Sequence, residues 1–120
     1  MPRYLLIARD DGQAWGSFAE SASPAQMQEV IEQYREWAER VASQGKLHGG
    51  EKLRDGEGRV MRGQGKGHKV TDGPFTDTKE VVGGYWVLEA ASYEEAAQLA
   101  ADSPHLRFGS LELREIEQIS

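Results

Sequence analysis

Two places in this sequence carry side chains suited to moving protons. Asp102 and His105 flank Pro104, and a carboxylate orienting an imidazole makes a usable general base. The same residues also suit a plain helix end, where a cationic histidine is favourable beside the last carbonyls and the aspartate is solvated. The second place is the turn Asp72-Gly73-Pro74-Phe75. Pro74 fixes its own φ and pushes Gly73 out of the helical region, while Asp72 can bond the backbone two residues on. Such a turn would hold the Asp72 carboxylate rigidly towards a cleft as a candidate base. The alternative is that Asp72 satisfies the amides of its own turn. Asp77 and Glu80 follow closely and read as a solvated pair.

Aromatic residues offer walls for a cleft. Tyr34, Phe75, Tyr85 and Trp86 would line a space between a helix and a sheet as substrate-binding residues, or simply fill the core. Trp15, Trp37 and Phe108 read as loop anchors or partly exposed surface. His48, His68 and His105 make no metal-ligand spacing, so no metal is expected. Gly63, Gly65 and Gly67 alternate as in a phosphate loop, but His68-Lys-Val-Thr71 follows where such a loop needs a helix N-terminus. Nucleotide binding is rejected, and no cofactor is expected.

Composition narrows the field further. At 120 residues the chain reads as one domain, 1–120, with 38% hydrophobic and 28% charged residues, enough for a core without staples. It contains no cysteine, which excludes disulfides, thiolate nucleophiles and sulfur-ligated metals. A formal charge of −6 argues against nucleic acid. Arg59, Arg62, Lys66 and Lys69 form one basic cluster, read as a solvated hairpin. No apolar run approaches the ~18 residues that cross a bilayer, and Met1 to Ala8 is too short for a signal peptide. The expected location is cytoplasmic.

The elements that position these residues follow from periodicity. Arg3 to Arg9 is a strand, and Asp10 to Ala22 reads as a loop that Trp15 and Phe18 tuck onto the body. The first helix starts from a Ser23 N-cap with Pro24 at its first position and Gln26 completing a capping box. Its apolar stripe is Met27, Val30, Ile31, Tyr34, Ala38 and Val41, and Gly45 ends it. Leu47 to Leu53 suits a strand with a Gly49-Gly50 step. Arg59–Arg62 and Lys69–Thr71 pair as a hairpin, and Tyr85 to Glu89 is a strong strand. A second helix opens at Ser92 and ends before Pro104, and Leu111 to Ile119 alternates as the last strand. The order suggests an α+β, ferredoxin-like βαβ-hairpin-βαβ sandwich, an antiparallel sheet with two helices on one face.

Tyr4-Leu-Leu-Ile-Ala8 and Tyr85-Trp-Val-Leu88 are apolar at successive positions. Both sheet faces therefore want cover, and two helices cover only one. The expected partner is a second copy packed sheet to sheet, stabilised by about 25 cal/mol per Å² of apolar area removed from water.

Several blocks together resemble a known family: Gly49-Gly50-Glu51-x-Leu53, Val70-Thr-Asp-Gly-Pro-Phe75, Thr78-Lys-Glu80, Gly83-Gly84-Tyr85, Ser103-Pro104 and Gly109-Ser-Leu-Glu-Leu-Arg114. Nearly end to end, the chain is similar to the DGPF branch of the YCII-related domain family. The resemblance implies a dimeric α+β barrel and bacterial, cytoplasmic, single-domain proteins, most without an assigned activity. Some relatives accompany extracytoplasmic-function sigma factors, and a few act on ring lactones, as in dehydrochlorination of a chlorinated muconolactone. YCII-type members carry a His–Asp pair read as an acid/base dyad. The histidine position falls here on Tyr34 and the aspartate position on Ser103, with Asp102 one residue earlier, so this sequence departs from that dyad.

Two functions fit these residues, and a structural dimer without ligand is a third reading. One is a small-molecule lyase, isomerase or hydrolase with Asp72 as base and Tyr34, Asp102 and His105 orienting substrate. The other is a non-catalytic dimer that senses a small ligand or serves sigma-factor regulation.

Overall fold

A computed structural model describes residues 1–10, 13–73 and 81–119. Its elements are β1 (Arg3–Asp10), α1 (Gln13–Ser21), α2 (Pro24–Ser43), β2 (Leu47–Lys52), β3 (Arg59–Arg62), β4 (Lys69–Asp72), β5 (Val81–Glu89), α3 (Tyr93–Ala100) and β6 (Gly109–Glu115), with 3-10 turns at Gly65–Gly67 and Pro104–Arg107. Four strands form an antiparallel sheet in the order β2-β5-β1-β6, and β3 and β4 form a separate two-stranded ribbon. That order, with α2 and α3 on one face, is the ferredoxin-like α+β arrangement expected from the pattern.

Local signals explain the boundaries. The Ser23 hydroxyl accepts from the Gln26 amide at 3.1 Å, and the Gln26 side chain accepts from the Ser23 amide at 2.8 Å, a complete capping box. Gly45 closes the end of α2 at φ +73°, a conformation that side chains disfavour. Ser92 caps α3 by accepting from the Glu95 amide.

Strand alternation then places the core. Tyr4, Leu6, Ala8 and Leu88 turn towards the helices and are buried, as are Val30, Trp37 and Val41 of α2. Leu5, Ile7, Tyr85 and Val87 take the other face: Leu5 stands opposite Val87, and Ile7 opposite Tyr85. Those four are only half-buried.

Three expectations need correction. The segment expected as a loop from Asp10 to Ala22 contains helix α1, because Trp15 and Phe18, one turn apart, both find Phe108 to pack on, at 5.1 and 5.3 Å between ring centroids. Trp37 and Phe108 are buried core residues, not surface anchors. Trp37 sits three residues after Tyr34 and four before Val41, so it shares their stripe, and its indole N–H donates to the Leu99 carbonyl at 2.9 Å, tying α2 to α3. The last strand ends at Glu115, and Ile119 is exposed. Among the described residues, no helix is long and apolar enough to cross a membrane.

Candidate functional site

A cavity of about 490 Å³ opens between α2 and the sheet. That lies within the roughly 300–1,000 Å³ usual for small-molecule sites. Its walls are apolar and aromatic, including Trp15, Val30, Ile31, Trp86 and Phe108, and its polar groups are Asp10, Tyr34, Glu51, Lys52, Asp55 and His105. Trp86 stands edge-on to Trp37 at 5.2 Å and nearly parallel to Tyr34, 14° between planes and 6.5 Å between centroids. Gly50 on β2 permits this placement, since a Cβ there would sit 2.6 Å from the Trp86 ring.

Three of the polar groups form one chain. His105 is buried, seated by the turn after α3, where the Ser103 hydroxyl accepts from the His105 amide at 3.3 Å. Its Nε2 lies 3.0 Å from the Arg9 carbonyl and 3.4 Å from Asp10 Oδ1. A carbonyl can only accept, so in the neutral ring Nε2 carries the proton and Nδ1 presents its lone pair. The Tyr34 hydroxyl, 3.3 Å from Nδ1, therefore donates to it. The sequence is a phenol O–H, an imidazole, and then a carboxylate with a backbone carbonyl. Burial, then the negative charge of Asp10, push the Tyr34 hydroxyl up to about 12, with Arg107 opposing the shift. Tyr34 is thus a neutral proton donor at ordinary pH.

A backbone irregularity makes room for the carboxylate. Ala8 pairs with Gly84 and Arg9 with Val82, so Gly83 is the extra residue of a β-bulge. A Cβ on Gly83 would collide with Asp10 Oδ2. Gly109 serves the imidazole in the same way: a Cβ there would collide with the Arg9 carbonyl and sit 3.1 Å from His105 Nε2.

The candidate residues from sequence divide accordingly. Tyr34, Trp86 and His105 meet at the cavity. Asp102 is exposed at the end of α3 and is not part of it; the carboxylate beside His105 is Asp10, which sequence reasoning missed. Parity was the available signal, because Asp10 continues the helix-facing series Tyr4, Leu6, Ala8. Asp72 stands on β4 with its side chain 95% exposed, 3.6 Å from the Arg59 guanidinium and away from the cavity lining, because its strand pairs with β3 and not with the main sheet. Tyr85 points to the opposite sheet face, since the alternation that turns Trp86 towards α2 turns its neighbour away. Phe75, Asp77 and Glu80 lie outside the described residues. The positions where the resembled family keeps its dyad, Tyr34 and Ser103, both touch His105.

Comparison with known proteins adds the following. A solved structure with the same fold is 5-chloro-2-hydroxyhydroquinone dehydrochlorinase from Burkholderia phenoliruptrix AC1100 in complex with 2,5-dihydroxybenzoquinone. It is 14% identical, with a TM-score of 0.50, and the match covers 96% of this chain and 93% of that one. No curated protein matches the sequence. The YCII-related domain matches residues 3–120, and the chain belongs to that family.

Proposed function

We propose that the chain is a small-molecule enzyme of the acid/base type, lyase- or isomerase-like, working in the cavity beneath α2. The observation that carries this is the Tyr34–His105–Asp10 chain opening onto an aromatic-walled space. A substrate proton passes to the Tyr34 oxygen as the Tyr34 proton passes to His105 Nδ1. The resulting imidazolium keeps its Nε2–H against Asp10 and the Arg9 carbonyl. Tyr34 never carries a net charge, which is what a phenol pushed up to about 12 requires. Run in reverse, the relay returns a proton to a neighbouring atom or to a leaving group. Asp72 and Asp102, the carboxylates favoured by sequence, take no part in this scheme.

The substrate class proposed first is a ring compound bearing acidic hydroxyls, of the kind named for the structural neighbour. The parallel rings of Tyr34 and Trp86 offer such a ring flat surfaces. Ring lactones, suggested by the resemblance, come second. We also place the chain in the DGPF branch and propose that it associates as a homodimer through its open sheet face, where Leu5, Ile7, Tyr85 and Val87 cluster.

The test is turnover of hydroxylated and chlorinated hydroquinones, quinones and lactones, followed by absorbance for the parent and His105→Gln. Turnover by the parent that falls at least a hundredfold in the variant, with ligand affinity kept, supports the enzyme. Tight binding without turnover in either protein makes it a ligand-binding or regulatory protein instead.

A further inference from the structure

The ribbon of β3 and β4 stands apart from the body. Among the described residues it pairs with no strand of the main sheet. The radius of gyration is 16.4 Å, with extents of 47 × 46 × 19 Å, whereas a compact 120-residue domain has about 13.6 Å. The ribbon is closed on itself: the Gly73 amide donates to the Gly58 carbonyl at 3.0 Å, and Gly73 closes over Val60, which is buried. It is a paired arm, not a frayed loop.

Its surface is that of a docking element. Met61 and Val70 face each other across the two strands and are 66% and 49% exposed. A cross-strand apolar pair on an isolated two-stranded ribbon is marginally stable in water and gains from a surface to cover it. Around it stand Arg59, Arg62, Lys66 and Lys69, with Asp72 as the ribbon's carboxylate. The chain as a whole carries −6, so the body is more acidic still. The complementary charge is therefore present in every molecule, while among the described residues the arm's strands pair only with each other.

We propose that the arm docks on the body of a second copy of this chain, with Met61 and Val70 at the contact and the four cations facing the partner's acidic surface. In a two-fold pair the exchange occurs twice, so each arm contact is made in duplicate. This goes beyond sheet-to-sheet association, which does not involve the arm.

The chain has no cysteine, so Met61→Cys gives a single attachment point for a photo-crosslinker at an exposed position. Mixing isotopically light and heavy chains separates contacts between copies from contacts within one. The expected result is mixed-isotope crosslinks from position 61 to the partner's body, with unchanged circular dichroism. A Met61→Asp/Val70→Asp variant should dimerise at least tenfold more weakly by sedimentation, and dimerisation should weaken with salt. Crosslinks confined to one chain, or a variant as tightly dimeric as the parent, overturn the arm proposal while leaving the sheet contact standing. A monomeric parent overturns both. Capture of a polyanion or an acidic vesicle by a monomeric parent would assign the arm to that partner instead.

Discussion

The carboxylate of Asp10 occupies the space that a side chain on Gly83 would take. Gly83 is the unpaired residue of the β1–β5 bulge, so the strand irregularity and the placement of the acid beside His105 are one feature. Gly83→Ala should leave the fold intact, because the φ of Gly83 is not in the left-handed region. The added methyl must displace Asp10, costing about 1–3 kcal/mol as overpacking does. Urea unfolding measures that loss. Turnover should fall towards the level of Asp10→Asn, and combining the two substitutions should cost less than their sum.

The relay itself predicts an ordered series. His105→Gln removes the proton acceptor and should lower kcat by about 10² or more, the usual size of a general acid/base contribution. Tyr34→Phe removes the group that meets the substrate and should do the same. Asp72→Asn should change neither kcat nor KM, since that side chain is exposed and paired with Arg59 on the arm. Steady-state kinetics on the substrate found by screening decides this, and loss of activity in Asp72→Asn would refute the assignment.

The phenol of Tyr34 gives a prediction that needs no substrate. An ordinary tyrosine titrates near about 10, and Tyr34 is pushed up to about 12. Between those values the folded chain holds a proton that the unfolded chain has lost. The stabilising contribution is therefore whole below pH 10 and disappears as pH rises through 12. Absorbance titration of the parent against Tyr34→Phe isolates this tyrosinate among four tyrosines. Asp10→Asn should bring its midpoint down, because Asp10 raises it, and Arg107→Gln should raise it further.

How far the site could be read beforehand follows from what kind of contact made it. Helix α2 was legible because a capping box, a proline and a glycine stop are local signals. The ferredoxin-like order followed from strand and helix succession. Helix α1 was not, since Gly16 interrupts a nine-residue segment in which nothing is fully buried, and the partners of its aromatics, Phe108 and Arg107, are distant in sequence. His105 was found, but its carboxylate was sought three residues away at Asp102 instead of across the sheet at Asp10. Strand β1 is apolar on both faces at Tyr4 to Ala8, which hid the parity that would have pointed Asp10 inward. Trp37 shared the stripe of Tyr34 and Val41 and was legible by spacing alone. Asp72 attracted notice for its turn, although its strand was already expected to pair with Arg59–Arg62 as a hairpin between the two βαβ halves, and that pairing is what takes it away from the main sheet.

The indole of Trp37 joins α2 to α3 by its bond to the Leu99 carbonyl, and it is almost completely buried. Trp37→Phe keeps most of the volume but leaves that carbonyl without its donor, which should cost about 1–3 kcal/mol. Trp37→Ala adds a cavity and should cost about 3–5 kcal/mol. Denaturant unfolding measures both. A value under 0.5 kcal/mol for the alanine variant, an order-of-magnitude floor for surface sites, would show that this contact does not support the core.

Gly50 sets the shape of the cavity through Trp86. A Cβ at this position would lie 2.6 Å from Cδ1 of Trp86 and 2.7 Å from the Tyr85 carbonyl. The indole has no retreat towards the core, where Trp37 stands edge-on at 5.2 Å. Gly50→Ala therefore pushes the ring towards the cavity and Tyr34, narrowing the space for a flat ligand. The Tyr34–His105–Asp10 chain is built from other elements and stays in place. The expected result is a KM or Kd raised about tenfold or more, with kcat changed much less, since lost uniform binding appears in KM alone. Calorimetry measures the affinity, and the Tyr34 titration confirms that the relay is unmoved. An unchanged affinity would mean that the ligand does not lie against Trp86.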